Sequence, residues 1–285
     1  MNNAKRIEEI KRQHRKRETL IRMRIQQENG LRASVASALG YHSDLGEKKR
    51  LALFRQAEAL IKKVRAGEER HEREDIIRWA SIGIDALKDG ENFLDKELLG
   101  LVVKLPVAAW VQEPEQRGFG LPSLYKVVGE AGDLAGYSGP FKLYKRLGLM
   151  PRTFDGKTHM GSTWRKKLDG ALPAEEWDNF GYSPRRRSIS YVIGENLMKM
   201  NFAVGGDDTS PDADSSVALP YRAKYDSEKE RFAQNHPDAP PIQCHRHGML
   251  MATKMLVKHL WCAWNNRPVH ANIHDDEAAF FGRAV

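Results

Sequence analysis

From Asn3 to Asn29 the chain has neither glycine nor proline, and Glu, Lys, Arg and Gln dominate it. These are good helix formers, so the stretch is committed to one long helix. Ile7, Ile10, Ile21 and Ile25 fall near a/d spacing, while His14 and Arg17 occupy the slots between them. The result is a coiled-coil-like seam that is not sufficient by itself. A second helix runs through "LGEKKRLALFRQAEALIKKVRAG", where Leu53, Ala57, Leu60, Ile61 and Val64 line one face and Gly67 supplies a stop. "EDIIRWASIGIDALKDG" repeats the format with Ile76, Ile77, Ala80, Ile84 and Leu87, ending at Gly90, and a fourth helix is expected over 92–104. Residues 1–112 therefore read as antiparallel helices behind a basic leading arm.

Such helices need a solvent, and the composition supplies it. The chain is 41% hydrophobic and 29% charged, ordinary for a soluble globular protein. The longest apolar run, "LLGLVVKLPVAAWV", is broken by Lys104 and Pro106 and is too short to span a bilayer. No apolar signal segment is visible at the N-terminus. Two cysteines, Cys244 and Cys262, do not make a disulfide framework and fit a reducing cytoplasm. The reading is a cytoplasmic, nucleoid-associated protein with no membrane partner.

The formal charge is +8, and it is unevenly spread. Residues 1–29 hold nine Lys/Arg against four Glu, and residues 139–167 hold eight against Asp155 alone. Focused positive charge of this kind is expected where a surface meets a polyanion. From Gly118 to about Asn201 the glycine and aromatic content rises and helices shorten. "GGDDTSPDADSS" then marks an acidic linker, and two further helical segments follow. The expected organisation is all-α: an arm and helical region over 1–112, a nucleic-acid-binding domain over 113–204, a linker over 205–220 and C-terminal helices over 221–285.

Three features carry chemistry. The first is "GFGLPSLYKVVGEAGDL", a helix-hairpin-helix pattern in which Gly118 and Gly120 bring the backbone close to a ligand. The following helix, with Pro122 in its first turn, would offer unpaired N–H groups to a phosphate. The second is "GPFKLYKRLGLMPRTFDGKTHMGSTWRKK". Here Lys142, Lys145, Arg146, Arg152, Lys157, Arg165, Lys166 and Lys167 interleave with Phe141, Tyr144, Phe154 and Trp164. Cations would take phosphates while rings pack in the core or stack on bases. The third is "YSPRRRSISYVIGENLMK", in which Ser183 caps a helix opened by Pro184. Arg185, Arg186 and Arg187 then oppose that helix's own dipole, an arrangement that calls for an anion.

These same segments resemble the C-terminal domain of the DEDD transposases of the insertion-sequence 110 group, the bridge-RNA-guided recombinases. The likeness runs through the glycine hairpin, "FKLYKRLGLMPR", "RRRSISYVIGENLMK" and the tail "YRAKYDSEKERF…MATKMLVKHLWCAW". Residues 30–112 are similar to the family's connecting coiled-coil segment. The family also carries an N-terminal RuvC-like domain whose carboxylates bind catalytic Mg²⁺, and this chain opens in the basic helix instead. Where the family places a nucleophilic serine before glycine, this sequence reads Asp155-Gly156. Ser162, and after it Thr153, is the hydroxyl that a shifted alignment would supply.

The resemblance implies a DNA-binding protein of mobile-element recombination, without complete nuclease chemistry and with no assigned catalytic residue, cofactor or metal. Its partners would be DNA or structured RNA, a second copy of itself through the N-terminal helices, and a separate nuclease. The alternatives are an active recombinase using a serine or a partner nuclease domain, and a helical assembly protein. "QCHRHG" with His259 and Cys262 lacks the paired ligand spacing of a zinc site. Glu175, Glu176 and Asp178 read as helix-start acids, not as a catalytic pair.

Overall fold

A computed structural model describes residues 2–150, 152–154, 157–159, 183–202 and 220–268. Within them the fold is all-α apart from one short ribbon. The breaker-free start extends further than expected, as helix α1 (Asn3–Ala38). Helix α2 (Glu47–Ala66) ends at Gly67, whose left-handed φ of 74° lets its N–H reach the carbonyls of Lys63 and Val64. Helix α3 (Glu74–Val102) is continuous where the sequence suggested two helices split at Gly90.

The reason is packing against α1. A Cβ at Gly90 would lie 3.0 Å from Leu20 Cδ1, and one at Gly83 would lie 3.1 Å from Gln27 Oε1. Both glycines are gaps that admit α1 side chains, so Gly90 works as a hole and not as a stop. The same pairing settles the fate of the polar seam residues. Arg17 donates Nε to Asp95 Oδ1 at 2.5 Å and Nη2 to Oδ2 at 3.2 Å. Arg24 grips Glu91 in the same two-pronged way, at 2.6 and 3.2 Å. The order 17 to 95, 24 to 91 shows that the two helices are antiparallel. The heptad continues through Arg24 and Glu28 rather than through Ile25, which is 45% exposed.

The chain divides into two units, Arg12–Leu98 and Met1–Lys11 with Leu99–Val285, so the boundary falls at other places than residue 112. In the first unit Leu31, Val35, Ala57, Leu60, Val64, Ile77 and Ile84 form the apolar core, flanked by Tyr41 and Phe54. Each such side chain contributes about 1.5–3 kcal/mol on burial. The half-buried ion pairs contribute little net energy but would be costly to break, so they fix register while the apolar cluster supplies stability.

The second unit contains α4 (Ala108–Val111), α5 (Leu121–Ala131), α6 (Pro140–Arg146), the strands β1 (Arg152–Phe154) and β2 (Lys157–His159), α7 (Pro184–Phe202), α8 (Pro220–Asn235) and α9 (Pro241–Trp264). The antiparallel ribbon pairs Arg152 with His159 and Phe154 with Lys157. From Gly248 to Cys262 helix α9 is buried on nearly every side, with Met249, Leu256, Leu260 and even Lys254 and Lys258 below the surface, while its first turns are exposed. This stretch forms the centre of the unit's core.

Tyr221 on α8 ties three elements together. It donates to Gln116 Oε1 at 2.5 Å and meets His259 Nδ1 at 3.2 Å. With the phenol proton on Gln116, neutral His259 carries its hydrogen on Nδ1 and donates back to the phenol oxygen. Burial, and then the nearby Lys258 charge, hold the His259 imidazole down at about 4. Glu228, also on α8, is buried, which by itself would raise its pKa. Hydrogen bonds from Lys224 at 2.6 Å and Arg231 at 2.5 Å outweigh that and hold it at about 2.

Candidate nucleic-acid interface

Helix α6 starts after Gly139 with Pro140 in its first turn. Leu143 and Tyr144 turn into the core, and Phe141 meets Tyr144 edge-on at 5.6 Å. Of the rings interleaved with cations here, these two therefore pack. Lys142, Lys145 and Arg146 are exposed and, at spacing i, i+3, i+4, share the opposite face.

Helix α7 begins beside this face. Ser183 Oγ accepts the Arg186 N–H at 3.4 Å, a long form of the expected cap. The arginine triplet does meet an anion, and it is the protein's own. Arg185 Nη2 lies 2.7 Å from Glu130 Oε1 and Arg186 Nε lies 3.2 Å from Oε2. Glu130, near the end of α5, is only 4% exposed. Arg146 Nε donates to the Glu130 carbonyl at 3.1 Å. Arg187 Nη1 donates to the Gly148 carbonyl at 2.9 Å, and Ser190 Oγ to the Leu147 carbonyl at 2.9 Å.

These contacts explain a triplet that looked unfavourable in the sequence. Cations at the N-terminus of α7 oppose its dipole, yet they lie against the C-terminal ends of α5 and α6, where carbonyls are unpaired and the dipole is negative. Gly148, at φ 71°, permits the approach; a Cβ there would stand 3.0 Å from Arg187 Cβ. Close by, Tyr137 donates its hydroxyl to the Ala131 carbonyl at 2.8 Å. Burial raises its pKa, against the opposing pull of Arg146 and Arg186.

The structure thus brings Arg146, Arg185 and Arg186 together at Glu130, Arg146 on its carbonyl and the other two on its carboxylate, while Arg187 turns to the Gly148 carbonyl and Lys142 and Lys145 stay on the exposed face of α6. Arg185 keeps 43% of its side chain exposed while paired. Arg152 and Lys157 follow on β1 and β2, and of Thr153 only the strand backbone is described. Arg165, Lys166, Lys167, Ser162, Asp155, Trp164, Glu175, Glu176, Asp178 and the acidic stretch 205–219 lie outside the described residues.

The glycine hairpin is not brought into this cluster. Gly118 and Gly120 stand at the start of α5 and Glu130 at its end, and a helix of 11 residues is about 16 Å long. Gly118, with φ 94°, has its missing side chain filled by α7: a Cβ would fall 2.7 Å from Leu197 Cα. Gly120 is extended, exposed and caps α5. Before the turn stand Glu113 and Glu115 on an exposed segment, so the surroundings of the hairpin are acidic as well as basic.

The Cys/His group is accounted for by organic partners. His245 Nδ1 bonds the Tyr225 hydroxyl at 2.7 Å, and His247 stacks on Phe232 with ring centres 4.4 Å apart. Among the described residues no His, Cys, Asp or Glu cluster suits a metal ion, and no helix is long and apolar enough to cross a membrane. Glu130 escaped the sequence reading because it lies 55 positions before Arg185 and nothing local marks it. Comparison with protein families, characterised proteins and solved structures finds no match to this chain.

Proposed function

We propose that this protein binds DNA through its basic α6–α7 face and serves in the recombination of mobile elements, holding nucleic acid without completing phosphodiester chemistry by itself. The observation that carries the reading is the meeting of Arg146 from α6 with Arg185 and Arg186 from α7 at Glu130, beside the exposed Lys142 and Lys145 of α6. Exposed Lys142, Lys145 and Arg146 make phosphate contacts, which position a duplex without reading its sequence. The likeness to transposase C-terminal domains runs through these same segments and points to the same reading.

The test is binding of duplex DNA, single-stranded DNA and structured RNA at two salt concentrations. Duplex affinity falls steeply as salt rises, because each neutralised phosphate releases counterions. Lys142→Glu with Lys145→Glu lowers affinity for all sequences alike. Affinity that does not change with salt, or that survives both charge reversals, removes the proposal.

A second reading, self-association, is favoured by one specific feature. On α3, Trp79, Ile82 and Phe93 are 74%, 62% and 63% exposed. Their spacing puts them on one stripe, away from core residues Ile77 and Ile84. Together they form an exposed apolar stripe of the kind that marks an interaction surface. We infer that this stripe pairs with a second copy of the chain.

A further inference from the structure

A cavity of about 420 Å³ opens between α7, α8 and α9. That is within the range of about 300–1,000 Å³ used by small-ligand sites. Leu149, Met249 and Leu250 give it an apolar floor, and Tyr191 and Phe232 add aromatic walls. His247, stacked on Phe232 with 23° between the rings, continues the wall. Two cations line the cavity, Arg187 and Arg246, and no carboxylate does. Arg246 is exposed and has no ion pair or hydrogen bond among the described residues.

Arg187 makes the cavity more than a packing defect. Its Nη1 is held by the Gly148 carbonyl, so the guanidinium is fixed in place with other donors to spare. That carbonyl lies just past the end of α6, and Leu149 next to it lines the cavity with Arg187, so the basic face of α6 and the cavity adjoin at this residue. Aromatic walls, an apolar floor and guanidinium groups are the chemistry that takes a base by its π-face and a phosphate by its charge. A paired base cannot enter a space of this size without leaving its duplex.

We propose that the cavity receives one unpaired nucleotide of the strand bound on the α6–α7 face, its base against Tyr191 and Phe232 and its phosphate on Arg187 and Arg246. This rests on the DNA-binding reading above. The class of ligand is a nucleotide of single-stranded, bulged or end-frayed DNA.

The experiment compares a fully paired oligonucleotide with one carrying a single-base bulge, using full-length protein and a fluorescent adenine analogue at the bulge. Deoxyadenosine monophosphate is titrated separately. The bulged strand binds tighter by about tenfold, the gain expected from one stacked base, and its fluorescence is quenched. Arg246→Ala and Tyr191→Ala, both at exposed side chains, abolish that gain and the quenching while paired-duplex affinity stays within about twofold. Lys142→Glu weakens both substrates equally. Equal affinity for the two strands, or a preference that survives both cavity variants, overturns the nucleotide site while leaving duplex binding intact. Mononucleotide binding that Arg246→Ala removes, with no oligonucleotide bound, supports the site and sinks the DNA-binding reading. No binding of either overturns both.

Discussion

Gly118 shows how much one missing methyl group decides. Its φ of 94° is a conformation that L side chains rarely adopt, and Leu197 Cα occupies the space where a Cβ would go. Gly118→Ala therefore meets both backbone strain and a clash with a helix main chain, which cannot swing aside. A loss of ~3 kcal/mol or more is expected, read as a lower midpoint in urea. A variant as stable as the parent would mean that the turn and α7 do not pack as described. Glu130 is the complementary case. Glu130→Gln keeps the size but removes the charge between Arg185 and Arg186, and leaving these partly exposed guanidinium groups without it costs about 1–3 kcal/mol. The same change frees two guanidinium groups, so DNA affinity at low salt rises even as stability falls. That opposite movement separates the internal ion pair from a simple packing role. The local chemistry around these residues was legible in part: Ser183, Pro184 and Gly67 perform as caps and stops because capping involves only neighbours in sequence. Glu130 was not legible, because its partners come from α7, far along the chain.

At the scale of elements, periodicity was legible and polarity misled. The α1 heptad continues through Arg17, Arg24 and Glu28, and these positions look like seam-breakers until α3 supplies Asp95, Glu91 and Lys88. Gly90 looked like a stop for the same reason, since a glycine at the end of a periodic run is ambiguous until the facing helix is known. The glycines at Gly118 and Gly120 do mark a sharp turn into α5, and what precedes it is the four-residue α4 and a 3-10 turn at Pro114–Gln116 in place of a full first helix. The assignment of the glycine turn to phosphate depended on which helix lay across it, and α7 lies there. The exposed stripe on α3 gives the prediction that belongs to this scale. Trp79→Glu with Phe93→Glu leaves helicity unchanged, because both side chains point away from the core. It shifts the chain from dimer to monomer in sedimentation, because the two charges stand where the apolar stripes would meet. A parent chain that sediments as a monomer rules out this interface.

Across the whole molecule, the unit that carries the basic face responds to pH through buried groups with displaced pKa values, among them His259 on α9 and Glu228 on α8. His259 is held at about 4 in the fold against about 6.5 when unfolded. Between those values the unfolded chain takes up a proton that the fold refuses, so stability is full above pH 6.5 and is lost as pH falls toward 4. Glu228, at about 2 in the fold, adds a second loss in the same direction, beginning near its unfolded value of about 4.5. The expected signature is a denaturation midpoint that declines below pH 6.5, by the equivalent of about 2–3 kcal/mol by pH 4, and then more steeply. His259→Gln keeps a donor for the Tyr221 oxygen but has no proton to gain. It should flatten the profile between pH 6.5 and 4 while leaving the steeper fall beneath it. A profile unchanged by this substitution would place the acid sensitivity elsewhere, and the buried tie between α8 and α9 would no longer set the lower pH limit of the unit that carries the basic face.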